Sequence, residues 1–260
     1  MLRWIFRIAI LLLVLLAGPA AMFVGGEVLG KEWWQASREP AGLAPDPAET
    51  HEPVVQVYAA RAYGWRGAFG VHTWIAVKPT GAPHYTVYHV LGWRAYRGGS
   101  ALAIGIDVPD RHWYGNPPEV LSEMRGEGVD KIIERIDDAA RRYPFADRYT
   151  LFPGPNSNTF TAWVGRQVPE LRLDLPPTAI GKDFLGPATF AAATPSGTGY
   201  QFSLFGLLGL TAATEEGLEI NIIGLTFGID PKDIGLKLPG VGRVGPTPDP
   251  KRDPKSPDFY

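Results

Sequence analysis

The sequence predicts an α+β domain, a mostly antiparallel sheet with packed helices, carried behind an N-terminal transmembrane helix. Three observations predict it. Residues 8–24 form one uncharged apolar run. Residues 54–107 hold several short β-branched and aromatic runs separated by Gly and Pro, the composition of strands. Further on, Val129, Ile132, Ile133, Ile136, Ala139, Ala140 and Tyr143 recur at helical spacing, with charged residues on the opposite face.

The apolar run comes first. About 17 to 21 apolar residues, rising 1.5 Å each, just cross a bilayer core. Arg3 and Arg7 precede the run, so the bias of Lys and Arg puts the N-terminus in the cytoplasm and everything after Val24 outside it. A cleaved signal peptide is the competing reading, with Gly18, Ala20 and Ala21 near a cleavage point. Apolar character continues past them, and that length favours a retained signal anchor over residues 1–26.

Residues 27–53, rich in Pro, Ala and Glu, read as a linker, and the domain is expected over 54–238. Strands are expected over 54–58, 71–77, 85–93 and 101–107, with the Pro79 to Pro83 stretch as a turn. Residues 117–142 read as helical, broken at Gly126 and Gly128, and Pro144 ends the second piece. A short strand over 149–152 then leads into Gly154-Pro155-Asn156-Ser157, and a helix over 157–167 follows. Beyond Leu185 the chain is apolar and punctuated by Gly, and the alternation over 218–222 predicts a β-meander, a C-terminal β extension. The Pro-rich, charged stretch 239–260 reads as a disordered tail.

Composition narrows the function classes. The 45% hydrophobic content can fill a core, and a formal charge of −2 leaves no electrostatic footprint for nucleic acid. With no cysteine there is no disulfide, thiolate metal site or Cys nucleophile. His72, His89, His112, Asp107 and Asp110 match no metal signature, so no metal and no cofactor is expected. Trp65, Trp74, Trp93 and Trp113 could line a glycan- or lipid-binding groove, but filling the core is the preferred reading.

Two stretches could carry chemistry. A two-residue turn at Thr80-Gly81 would set His72 opposite His89, and any loop with an even number of residues keeps both on one face. Each could equally be an ordinary half-buried histidine. Ser157 opens a helix, where unpaired N–H groups and the helix dipole favour a developing negative charge. Asn156, Ser157 and Asn158 are all good N-caps, and capping alone would explain them.

In combination, His72-Thr73-Trp74, then His89, then Asn156-Ser157-Asn158-Thr159-Phe160 resemble the circularly permuted papain-like superfamily, which includes lecithin retinol acyltransferase-like proteins and cell-wall peptidases. Ser157 stands where that superfamily has Cys, and Thr159 where it has His. Over most of the chain, notably the stretches YAARAYGWRGAFGVHTWIAVKP, YGNPPEV, GPNSNTF and LPPTAIGKDF and the segment SLFGLLGL…EEGLEIN, the sequence is similar to an uncharacterised bacterial family, domain of unknown function 3750. The resemblances imply a permuted papain-like core and an extracytoplasmic hydrolase or acyltransferase acting on an amide or ester. Ser157 would be the nucleophile, His72 the general base and His89 its orienting group, with Asp107 and Asp183 in reserve. Asn156, Asn158 and Trp74 would serve oxyanion stabilisation and positioning. A catalytically silent binding module or structural envelope protein of the same fold is the alternative. The expected location is the cell inner membrane, single-pass, with the domain facing the periplasm. The expected partners are the membrane, through the N-terminal helix, and a small-molecule, lipid or peptidoglycan-related ligand.

Overall fold

The computed structural model describes residues 2–25 and 32–253. The last residue of the expected anchor, 26, the first of the expected linker, 27–31, and the last of the expected tail, 254–260, lie outside the described residues.

Helix α1 (Leu2–Val24) is long and apolar enough to cross a membrane by length and composition. Strands β1 (Val54–Arg61), β2 (Val71–Lys78), β3 (Thr86–Val90), β4 (Leu102–Ile106) and β5 (Glu119–Arg125) form one antiparallel sheet in the order β4-β3-β2-β1-β5. β1 and β2 are buried along nearly their whole length, because both sheet faces are covered. Helices α3 (Val129–Arg141) and α4 (Ser157–Gln167) cover one face through Val55, Val57, Ile75, Ile136 and Phe160. Tyr58, Trp74 and Tyr85 fill the other. A strand covered on both sides need not alternate, and so VHTWIAVK reads as a nearly continuous apolar run.

Four expectations are corrected here. Residues 119–125 form β5 rather than the first half of a helix. Pairing with β1, Val55 opposite Met124, overrides the helical preference of Glu, Leu and Met, and the left-handed Gly126 and Gly128 separate β5 from α3. β3 stops at Val90, and Gly92 opens a short helix, α2 (Gly92–Tyr96), where a Cβ would lie 2.7 Å from the Tyr149 ring. Residues 149–152 form no strand; they bend into Pro153 and Pro155, which supply no N–H to a ladder. The tail is ordered as far as 253: Glu123 N donates to Pro250 O (2.7 Å), and Arg252 N donates to Glu123 O (2.7 Å), extending the open edge of β5. The later linker residues also lie on the domain. Leu43 N donates to Asp110 (2.6 Å), and Tyr85 Oη donates to Pro45 O (2.9 Å).

The C-terminal extension is a seven-stranded antiparallel meander of β6 (Ala191–Ala193), β7 (Gly199–Leu204), β8 (Leu208–Ala213), β9 (Gly217–Ile222), β10 (Leu225–Asp230), β11 (Gly235–Leu238) and β12 (Gly242–Val244). Its polarity is inverted. The polar residues of each strand, among them Gln201, Thr211, Glu219, Asn221 and Lys237, face inward and are buried. Lys237 Nζ bonds Asp174 (2.6 Å) and Glu219 (2.8 Å), and Lys182 Nζ bonds the other Glu219 oxygen (2.7 Å). The alternate positions, Phe202, Leu210, Leu218, Ile220, Ile229 and Leu236, are exposed.

Candidate functional site

The start of α4 is fixed by side chains. Asn156 is the N-cap, accepting from Asn158 N (2.9 Å) and Thr159 N (3.2 Å), while Asn156 N donates to Thr159 Oγ1 (3.1 Å) to complete a capping box. Thr159, which stands at the motif His position, therefore serves the helix end, and its hydroxyl also donates to Gly181 O (2.8 Å). The Asn156 amide donates to Leu151 O and Ile180 O, both at 3.0 Å. The Asn158 amide donates to Val71 O (3.1 Å) and Ile180 O (2.8 Å). Gly181, left-handed at φ 98°, passes so close that a Cβ there would sit 2.4 Å from the Asn156 amide. On β2, Thr73 Oγ1 lies 3.0 Å from Asn158 Oδ1 and 2.8 Å from Thr161 Oγ1, clamping strand to helix.

Ser157 is the first helical residue, not the cap. It is 4% exposed, and among the described residues its hydroxyl makes no hydrogen bond. Capping therefore does not account for it.

The two histidines share a face, with a register two residues away from the expected one. Ile75 pairs with Tyr88 and Val77 with Thr86, so the loop is longer than two residues but still even-numbered. His72 Nε2 lies 3.2 Å from His89 Nδ1, and the Trp113 ring stacks on His72 at 3.7 Å between centroids. Burial, and then the neighbouring His89, pushes the His72 imidazole well below its ordinary value. Burial pulls His89 down to about 4, against an opposing pull from Asp107. Both rings are neutral at neutral pH, one donating to the other.

Alternation along β2 separates the two parts of the expected triad. Val71, Thr73 and Ile75 face the helices, whereas His72 and Trp74 face the aromatic side. No hydrogen bond joins Ser157 and His72 among the described residues. They meet only as walls of one cavity of about 710 Å³ that wraps the end of β2. Asn156 and Asn158 reach that cavity with their amide protons already committed. Trp74 lies in the core, donating to Pro109 O (2.7 Å) and stacked on Tyr58. Asp107 pairs with Arg111 (2.9 Å), and Asp183 accepts from Gln201 (2.7 Å); neither contacts His72. Among the described residues no group of three or more His, Asp or Glu could hold a metal ion.

Most of the cavity wall is aromatic or aliphatic. Trp65 and Trp93 line it rather than filling the core, contrary to the preferred reading; Trp113 lines it while packing against the core, and Trp74 is a core residue. Tyr63, Phe69, Tyr114, Tyr149 and Ile223 complete the wall and were not singled out from sequence. For Tyr63, Phe69 and Tyr114 the signal was available in the Gly and aromatic clusters around Gly64 and Gly115, which mark turns that project rings; Tyr149 and Ile223 carried none.

Residues 52–184, just over half of the chain, match the family described as protein of unknown function (DUF3750). The chain belongs to this family. The DUF3750 match spans β1 to α4, with His72, His89 and Ser157, and ends before the seven-stranded sheet begins. No curated protein and no solved structure matches the chain.

Proposed function

We propose that the chain is a membrane-anchored module that binds an apolar small molecule or lipid in the cavity at the end of β2, on the periplasmic side of the cell inner membrane. The observation that carries this reading is the cavity itself. A concave space of about 710 Å³ walled by Trp, Tyr and Leu, with a few convergent polar groups at Ser157 and His72, has the size and chemistry of a ligand site. The neutral histidines support it, because a stacked, uncharged pair costs little to bury beside an apolar ligand. A fluorescent fatty-acid probe should bind the full chain and quench tryptophan emission from Trp93 and Trp113. Leu91→Trp, which fills the cavity, should abolish binding while leaving the circular dichroism unchanged. Binding that Leu91→Trp leaves intact would overturn the proposal.

One observation favours the hydrolase or acyltransferase reading as a second. Ser157 presents an uncommitted hydroxyl at a helix N-terminus, where its own N–H could face a developing oxyanion. In this reading of a permuted papain-like core, Ser157 Oγ attacks an amide or ester carbonyl while His72, oriented by His89, takes its proton; the C–N or C–O bond breaks, His72 returns that proton to the leaving amine or alcohol, and water or an acceptor alcohol or amine then takes the acyl group from Ser157. It requires the two side chains to meet across the end of β2 when substrate binds. A fluorophosphonate probe that labels Ser157, with labelling lost in His72→Ala, would establish it; an unlabelled wild-type chain would exclude it.

A further inference from the structure

Helix α1 meets the domain partway along its apolar run. A Cβ on Gly18 would lie 1.9 Å from Pro239 O, and one on Gly240 would lie 2.5 Å from Pro19 N. Gly18 is six residues before Val24, about 9 Å along the helix axis. If α1 spans a bilayer with its apolar run, the β11–β12 turn at Pro239-Gly240-Val241 lies inside the hydrocarbon, not above it.

Two further features share that level. The β7–β8 and β9–β10 turns are at the same end of the seven-stranded sheet as this turn, since Leu208 pairs with Ile222 and Leu225 with Ile222. They expose Phe205, Leu207 and Ile223. The opposite end carries Thr214, Glu215, Lys232 and Asp233, with Lys232 bonded to Glu215 at 2.5 Å; Ile234 is its exposed apolar residue. Within the strands β6 to β12 themselves no charged residue is exposed, and Phe202, Leu210 and Ile220 form one continuous cross-strand row. Nine and ten residues after α1 in the sequence, the exposed Trp33 and Trp34 have the chemistry of residues at the headgroup level.

We infer that the outward face of the seven-stranded sheet is a membrane-docking surface, with its β7–β8, β9–β10 and β11–β12 turns entering the outer half of the same bilayer that α1 crosses. Lipid covers the apolar face, and the buried polar face turns towards Arg166 of α4 and Asp174, Lys182 and Asp183 of the segment after it. Because Trp33 and Ile223 border the cavity, its mouth opens at the lipid surface. The inference rests on α1 as the membrane span and on no chemistry at Ser157.

The chain has no cysteine, so single-Cys variants are clean reporters. Full-length Leu210→Cys, Leu218→Cys and Ile223→Cys, each carrying a nitrobenzoxadiazole label in phosphatidylcholine–phosphatidylglycerol nanodiscs, should be quenched by doxyl lipids and resist iodide. Lys232→Cys should show the reverse. Leu12→Cys, in α1, should be quenched by doxyl lipids whatever the sheet does. Labels on the sheet quenched by iodide alone would show a water-facing sheet and overturn the inference. Labels shielded from both quenchers would show a second copy or another protein on the face and also overturn it. An unquenched Leu12→Cys would remove the premise, a failure distinguishable from the other two.

Discussion

Protonation of the His72–His89 pair should destabilise the fold over a defined pH window. The unfolded imidazole titrates near its ordinary 6.5, whereas folded His89 is held at about 4 by burial. Between those values the unfolded chain binds more protons, so stability falls as pH falls; above about pH 7 the contribution is constant. The full difference for His89 is on the order of 3 kcal/mol, and His72, depressed in the same direction, adds to it. Buried carboxylates such as Asp183 and Glu216 also titrate unusually, so the informative quantity is a difference between two chains. Urea unfolding of wild type and His89→Gln, followed by tryptophan fluorescence at half-unit steps, isolates it. The wild type should lose ground against His89→Gln steadily from pH 6.5 towards 4. A difference constant to within about 0.5 kcal/mol over that range would mean that His89 titrates as an exposed histidine, and the account of a neutral stacked pair would be refuted.

Other perturbations have equally definite outcomes. Glu219→Ala should cost about 3–5 kcal/mol in urea unfolding, because it strips the carboxylate shared by buried Lys182 and Lys237. Lys182→Met with Glu219→Leu should cost less than the sum of the single changes. Asn156→Ala should lose about 1–2 kcal/mol as the cap goes, whereas Ser157→Ala should change stability little, since its hydroxyl is not the cap. Ser157→Cys tests the nucleophile site directly: a thiol at the start of α4 should react with iodoacetamide faster than an exposed control thiol, and no acceleration would exclude a nucleophile site there. A reporter fused after Tyr260 should be active only if exported, and activity of a cytoplasm-only reporter would reverse the topology.

The elements legible in the sequence were those whose pattern is local. The apolar run of α1, the spacing of Ile132, Ile133 and Ile136 in α3, and the Asn156 cap before α4 each announce themselves within a few residues. β5 was not legible, because Glu119, Leu121 and Met124 favour a helix and only the long-range partner β1 makes them a strand. The common face of His72 and His89 follows from loop parity, and parity survives an error of two residues in register. The relation of His72 to Ser157 depends on which side of β2 receives α4. Nothing local to His72-Thr73-Trp74 encodes that; Thr73, not His72, turned out to meet the helix. Strand alternation in the C-terminal segment predicted a meander but not that its polar stripe would be the buried one, which depends on Lys182 and Asp174 arriving from elsewhere in the chain.

The seam between β5 and residues 250–252 bears on how the chain matures. β5 belongs to the family-matched half, yet the main-chain bonds at Glu123 on its outer edge come from Pro250 and Arg252, which follow the whole seven-stranded sheet in the chain. During synthesis Glu123 therefore waits, with its N–H and C=O open, for residues 250–252 to arrive. A chain ending at residue 184 would keep those groups open permanently and should self-associate edge to edge. Residues 250–252 thus tie a late-made part of the described chain to the edge of the first-made sheet.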